Sequence, residues 1–296
     1  MTTYVAPTLR TRTQLIKDVE YRQRNRGNRR WDDEEIARAL NDAVQMWSGR
    51  VSVPLVYTIS GGWVSGTYEY ALPSYIPVQM VPQRRVLTPY ISDTGTSNTY
   101  IWADVLGWDM EPDASGGQIL RTQYNEGVVG TTSDARVLYW AGNGYMPETA
   151  QLPTLNATIT SSATSLVLSA VFDVGQVGFV KIESEWIQYA GVTDDGSNTT
   201  LSNLVRGVGS TAASHASGKE IDFGVAAPEV RLYQQLYQQA IANLHALTLT
   251  DGPAQETAHH QWQMQWQQQM ATDFWKSWTP RAPMVKLSRR ATGSYW

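Results

Sequence analysis

The 296-residue chain reads as an α+β protein on three observations. Apolar residues recur at helical spacing near both ends, within residues 13–48 and 228–275. Between them, residues 51–146 alternate apolar and polar side chains between Gly and Pro punctuation. A further stretch, 152–222, consists of short strand-length segments parted by Gly, Asp, Asn and Ser. A period near 3.6 marks helices that bury one stripe, and a period of 2 marks strands that bury one face.

Residues 1–10 are expected to be extended and weakly structured. Leu15, Ile16 and Val19 give residues 13–25 a helical period, broken by Gly27-Asn28. The signal for residues 32–48 is the strongest in the chain. Asp32 can cap the helix, Glu35 holds the capping-box position, and Trp31 and Ile36 hold the staple positions. Ile36, Leu40, Ala43, Val44 and Trp47 then form one stripe, with Gly49 as the stop. In residues 51–146, Pro54, Pro73, Pro77 and Pro82 are expected at strand ends or edges, and residues 92–99 and 111–117 as loops. Helix returns at 228–249, where Pro228 and Glu229 suit the first turn. Leu232, Leu236, Ala240, Leu244 and Leu247 line one face, widened by Tyr233, Tyr237 and Ile241. After the turn Asp251-Gly252-Pro253, residues 254–275 carry Trp262, Trp266, Met270 and Phe274 at strict i+4 spacing, predicting an αα-hairpin. Residues 279–296 read as an extended basic arm ending in Tyr295-Trp296.

Composition narrows the function classes. The net charge of −4 gives no global basic field for nucleic acid. Its distribution is uneven: residues 1–30 hold eight basic residues against Asp18 and Glu20, a net of +6. Residues 276–296 hold five basic residues and no acid, leaving −15 for the stretch between. Basic ends on an acidic body suit a subunit that grips acidic neighbours. The absence of cysteine excludes disulfides and thiolate chemistry, and suits assembly in a reducing cytoplasm. No apolar run nears 18 residues and no signal-peptide pattern is present, so a soluble protein without membrane partners is expected. Twelve Trp and 15 Tyr against 4 Phe favour surfaces that are apolar on one side and wet on the other.

Within 152–222 the strands expected are Ala157–Ile159, Leu166–Leu168, Val177–Ile182, Trp186–Tyr189 and Leu201–Leu204. The ordered phrases G-x-V-x-I-E-S-E-W-I-x-Y, L-x-N-L-x-R-G and H-x-x-G-K-E-I resemble a small β-domain that recurs in tailed-bacteriophage virion proteins. That resemblance implies a structural pairing of Glu185 with Arg206. The phrase W-D-D-E-E-I-A-R-A-L-N-D-A-V-Q-M-W at 31–47 is similar to the opening of the second helix in phage head-to-tail adaptor proteins. Y-E-Y-A-L-P at 68–73 and R-V-L-Y-W-A-G at 136–142 also look like stretches of that family. The resemblance covers roughly residues 10–50, 65–145 and 228–275.

The adaptor resemblance implies a virion neck protein, assembled in the host cytoplasm. It implies a ring of this chain, expected as a dodecamer, docked on the portal protein and joined below to a tail or nozzle protein. DNA would pass through the lumen without specific binding. Arg289, Arg290, Tyr295 and Trp296 would anchor the C-terminal arm on the portal. Arg22, Arg24, Arg26, Arg29 and Arg30 could hold phosphates, but the acidic middle of the same chain favours subunit contacts over DNA.

The layout expected is 1–50 as arm and helix pair, 51–150 as β-rich body, 151–225 as inserted β-module, 226–278 as helical hairpin completing the helical core, and 279–296 as arm. No catalytic, cofactor or metal site is expected. Glu256, His259 and His260 lack the H-E-x-x-H order and a third ligand, and His215 reads as a turn-stabilising side chain. Glu183 and Glu185, placed on one strand face by their spacing, could serve as paired acids of a lytic enzyme. The main alternative is a tail-fibre or baseplate protein whose module binds glycan or a receptor.

Overall fold

A computed structural model describes residues 7–24, 31–48, 51–64, 66–76, 80–92, 95–105, 107–113, 117–122, 135–149, 151–247 and 254–277. In chain order the elements begin β1 (Thr8–Thr11), α1 (Arg12–Arg24), α2 (Asp33–Ser48), β2 (Val53–Thr58), β3 (Glu69–Leu72), β4 (Met80–Ser92), β5 (Gly95–Asp104), β6 (Trp108–Pro112), β7 (Gln118–Thr122) and β8 (Ala135–Ala141). There follow β9 (Ser165–Val167), β10 (Gly178–Ile182), β11 (Glu185–Tyr189), β12 (Val192–Asp194), β13 (Thr199–Ser202), β14 (Ile221–Ala227), α3 (Leu232–Leu247) and α4 (Ala254–Ser277). The fold is α+β, with helices and small antiparallel sheets in separate segments. The chain divides into two units: Pro54–Trp140 by itself, and Ala6–Val53 joined with Ala141–Pro280.

In the discontinuous unit, β1, β14, β10 and β11 form one four-stranded sheet, and β12, β13 and β9 a second sheet of three strands. One core serves strands and helices together: Leu15, Leu40 and Val44 belong to the same buried cluster as Leu168, Ile182, Ile187, Phe223, Leu236 and Leu244. The 151–225 stretch shares both a sheet and a core with the helices. The excursion from that unit is 54–140.

Local chemistry accounts for the element ends. At α2, Asp32 Oδ1 accepts from the N–H groups of Glu34 at 3.0 Å and Glu35 at 2.8 Å, and Glu35 Oε2 accepts from Asp32 N–H at 2.9 Å. This is the reciprocal capping box read from the sequence. Residues 8–10, expected within a weakly structured stretch, instead belong to the edge strand β1, paired from Thr8↔Ala227 to Thr11↔Gly224. Helix α3 begins at Leu232 rather than Pro228, because β14 runs on to Ala227 and residues 229–234 open with tight turns such as Leu232 N–H to Glu229 O at 3.1 Å. Helices α2 and α4 both pack on α3, and α1 touches α2 and α3. Gly49 and the turn 251–253 lie outside the described residues.

In the other unit the strand orders are β2-β8-β4-β5 and β3-β7-β6. Of residues 92–99, expected as a loop, Ser92 and 95–99 are strand, in a register that runs from Gln83↔Asp104 to Ser92↔Gly95; 93–94 lie outside the described residues. Thr and Ser at 96, 97 and 99 fit a pleated strand despite their loop-like composition. Pro54 lies on the edge strand β2, as expected, but Pro82 lies inside β4. The ladder with β5 stops at Gln83, one residue short of Pro82, so no strand on that side needs the missing N–H. The unit's core includes Trp63, whose indole N–H donates to Gln83 O at 3.0 Å and whose ring meets Tyr70 edge-on at 4.8 Å.

Candidate functional site

The densest cluster of titratable side chains lies around β11. The strands β10 and β11 are joined by Glu183-Ser184, and Glu183 takes a positive φ of 54°, a conformation non-Gly residues adopt only when their surroundings hold them there. The two-residue loop between the paired Ile182 and Glu185 calls for a positive φ at its first position; the Glu183 carboxylate meets Lys219 Nζ at 2.5 Å through Oε1 and His215 Nδ1 at 2.9 Å through Oε2. Glu183 is thus a turn residue rather than a strand neighbour of Glu185, yet the two carboxylates still converge, because His215 Nε2 lies 2.7 Å from Glu185 Oε2. Each ring nitrogen of His215 thus faces a carboxylate oxygen, so one imidazole bridges the two acids. Its role is a buried bridge, larger than the turn-stabilising one read from sequence.

Glu185 is fully buried and fully bonded. Arg206 grips it bidentately, Nε to Oε1 and Nη2 to Oε2 at 2.8 Å each, the pairing that the family resemblance implied. The backbone N–H groups of Gly207 and Ala213 donate to the same carboxylate at 3.1 and 3.0 Å. Gly207 has a φ of +69°, which lets the chain turn its N–H onto Glu185. Arg206 also donates to Thr160 O at 2.6 Å and Ala213 O at 2.7 Å. Burial pushes the Glu185 carboxyl upward, but Arg206, the Ala213 N–H and His215 outweigh it and hold the carboxyl below its ordinary value. Hydrogen bonds from Lys219 and then His215 lower Glu183 as well.

Chemically, this cluster is closed. Each donor and acceptor facing Glu185 is committed inside the protein, and the two carboxylates flank an imidazole rather than a cleft. That geometry does not provide a reacting group with room for a substrate and water. What it does is tie the β10–β11 hairpin to residues 159–160 and 205–215.

Two buried asparagines perform a similar task with neutral groups, and sequence reasoning missed both. Asn41 on α2 donates to Met146 O at 2.7 Å and accepts from Met146 N–H at 2.8 Å. Asn143 does the same to Ala226 O and N–H, at 2.8 and 2.7 Å. The signal for Asn41 is its place between Leu40 and Val44 on a helix face that is otherwise apolar.

Among the basic residues singled out from sequence, Arg22 is exposed and lies over the Tyr237 ring at 4.7 Å. It sits beside an unanticipated network in which Arg10 pairs with Asp18, and the Tyr237 hydroxyl bonds to Asp18 too. Arg24 is the last residue of α1, while Arg26, Arg29, Arg30, Arg289, Arg290, Tyr295 and Trp296 lie outside the described residues.

Helix α4 buries polar side chains and leaves much of its i+4 apolar stripe exposed. Among its described side chains, those buried are His260, Gln263 and Gln267, and His260 meets His245 of α3, on which the helix packs. His245 Nδ1 and His260 Nδ1 are 2.6 Å apart. The Oε1 atoms of Gln235, Gln238 and Gln267 are buried without a hydrogen-bond partner. Trp262, Trp266 and Met270, the stripe marked by the helical period, are 58%, 44% and 40% exposed, and Phe274 is partly buried against the core. The physical reason is that α1 and α2 already pack on α3, whose apolar residues lie in the shared core, so α4 meets a more polar side. Among the described residues, no three His, Cys, Asp or Glu side chains are grouped to hold a metal, and no helix is long and apolar enough to cross a membrane. Comparison with protein families, curated proteins and solved structures gives no match.

Proposed function

We propose that the protein is a non-enzymatic structural subunit of a tailed-phage particle, an adaptor in a ring that docks on the portal and links it to the tail. The observation that carries this reading is a contrast. Among the described residues, the cluster densest in titratable groups has its centre, Glu185, Arg206 and His215, buried and bonded within its own chain, while the exposed large apolar side chains include Trp262, Trp266 and Met270 along one helix, besides Tyr21, Met46 and Tyr68 elsewhere. A protein that works by assembly has that pattern, since exposed aromatics and Met are enriched where surfaces will be covered. The adaptor-like phrase at 31–47 forms α2, which packs on α3 from the far end of the chain. In this reading the four helices make up the helical bundle around which ring contacts are built, and the +6 and +5 ends reach acidic neighbours. The ring, its dodecameric size and the DNA channel follow from the same resemblance.

The glycan-binding alternative draws no support from the module. Its aromatics Phe179, Trp186, Tyr189 and Phe223 are buried and Phe172 is half-buried, which leaves no aromatic platform there for a sugar ring. Deleting residues 279–296 tests the portal assignment. The expected result is a subunit with unchanged unfolding behaviour that no longer binds purified portal; retained binding would remove the arm's anchoring role.

A further inference from the structure

The outward stripe of α4 has three properties that together specify its occupant. First, it is neutral: residues 257–272 contain no Asp, Glu, Lys or Arg, in a chain whose net charge is −4. Two copies of this protein therefore repel weakly over much of their surface but not here. Second, its rim is glutamine: Gln261, Gln265, Gln268 and Gln269 are exposed. An amide both donates and accepts, so such a rim complements itself and asks for no particular charge. Third, the stripe has a centre. Trp262 and Met270 are each four residues from Trp266, so an antiparallel copy centred at Trp266 meets the same ridge.

We propose that two copies of this chain pair through α4, antiparallel across a two-fold axis at Trp266. A strict i+4 ridge is the geometry that interdigitates with its own kind at a crossing angle of about −50°. At such a crossing Trp266 meets Trp266 of the second copy, and each Trp262 meets Met270 of the other. Sulfur–aromatic contacts of that kind are favourable, with the sulfur about 5 Å from the ring. The area sets the strength. Scaling a wholly buried Trp at about 150–250 Å² by the observed exposures, the stripe offers roughly 300 Å² per copy. A stable interface takes about 800 Å² per partner, so pairing is a micromolar rather than a nanomolar event. A two-fold contact cannot by itself propagate a ring, which needs a heterologous one; the pair belongs to the subunit before ring closure. The inference rests on α4 and goes beyond the adaptor reading, so either can fail alone.

Sedimentation of the full chain across a concentration series tests it. The expected result is a reversible monomer–dimer equilibrium, weakened at least tenfold by Trp266→Asp and by Trp266→Lys alike. Mixing those two variants in equal amounts is expected to restore the dimer, because a two-fold axis sets position 266 against itself and the mixture sets opposite charges face to face. Circular dichroism of each variant confirms that the fold is kept; should either lose it, Trp262→Lys mixed with Met270→Asp tests the same register. A chain that stays monomeric throughout overturns the proposal. Association that survives Trp266→Asp, or variants that fold but do not rescue one another, overturns it as well.

Discussion

The β11 cluster and the α3–α4 seam both bury polar groups, and they do so in opposite ways. Around Glu185 every buried charge has partners from its own chain: Arg206, His215 and two backbone N–H groups. Along the seam, three glutamine carbonyl oxygens are buried without a hydrogen-bond partner, and the helix's apolar stripe faces outward. The first region is complete within one copy. The second is held by a polar seam and offers its best packing surface to something else. The difference teaches where stability and where assembly are to be sought in this molecule.

The comparison can be broken most severely at the cluster. Arg206→Ala is expected to cost about 3–5 kcal/mol, because it strands a buried carboxylate. The measurement is chemical unfolding at neutral pH; a loss under about 1 kcal/mol would mean that Glu185 finds water, and that the cluster is no more closed than a surface pair.

Acid sharpens the same point with a smaller effect. The folded Glu185 carboxyl lies below its ordinary value, so its stabilisation is fully present above about pH 4.3, the usual glutamate value. It is lost as pH falls from there through the lowered folded-state value. Unfolding midpoints measured from pH 6 to pH 3 are expected to drop over that window, with a shallower drop in Arg206→Ala, where the main partner that lowers Glu185 is gone. Parallel slopes in the two proteins would assign the acid sensitivity elsewhere.

The smallest effect is expected in the seam, with the opposite sign. Gln267→Leu removes a buried carbonyl that has no partner, and is expected to leave stability unchanged or raise it by about 1 kcal/mol. A loss of 2 kcal/mol or more would show that the seam is as tightly wired as the cluster.

Legibility in the sequence followed the range of the interactions. Helix α2 was readable to its cap because Asp32, Glu35 and the stripe from Ile36 to Trp47 lie within one segment. The strands β10 and β11 were readable from alternation, and the Glu185–Arg206 pair from its resemblance to a phage module. What was not readable depends on distant partners. β1 exists because β14, over 200 residues away, needs a neighbour. Asn41 gave no sign of its role, because its partner Met146 lies 105 residues away in the chain. The exposed face of α4 could not be read at all, since its period shows that a stripe exists but not which side α3 leaves free.

The central claim, a neck-ring subunit, is tested most directly by counting copies in purified virus particles, using quantitative mass spectrometry scaled to the portal protein. The account predicts one copy per portal subunit, roughly twelve each for a closed ring. Absence from the particle, or a multiple of three that does not match the portal, would contradict it.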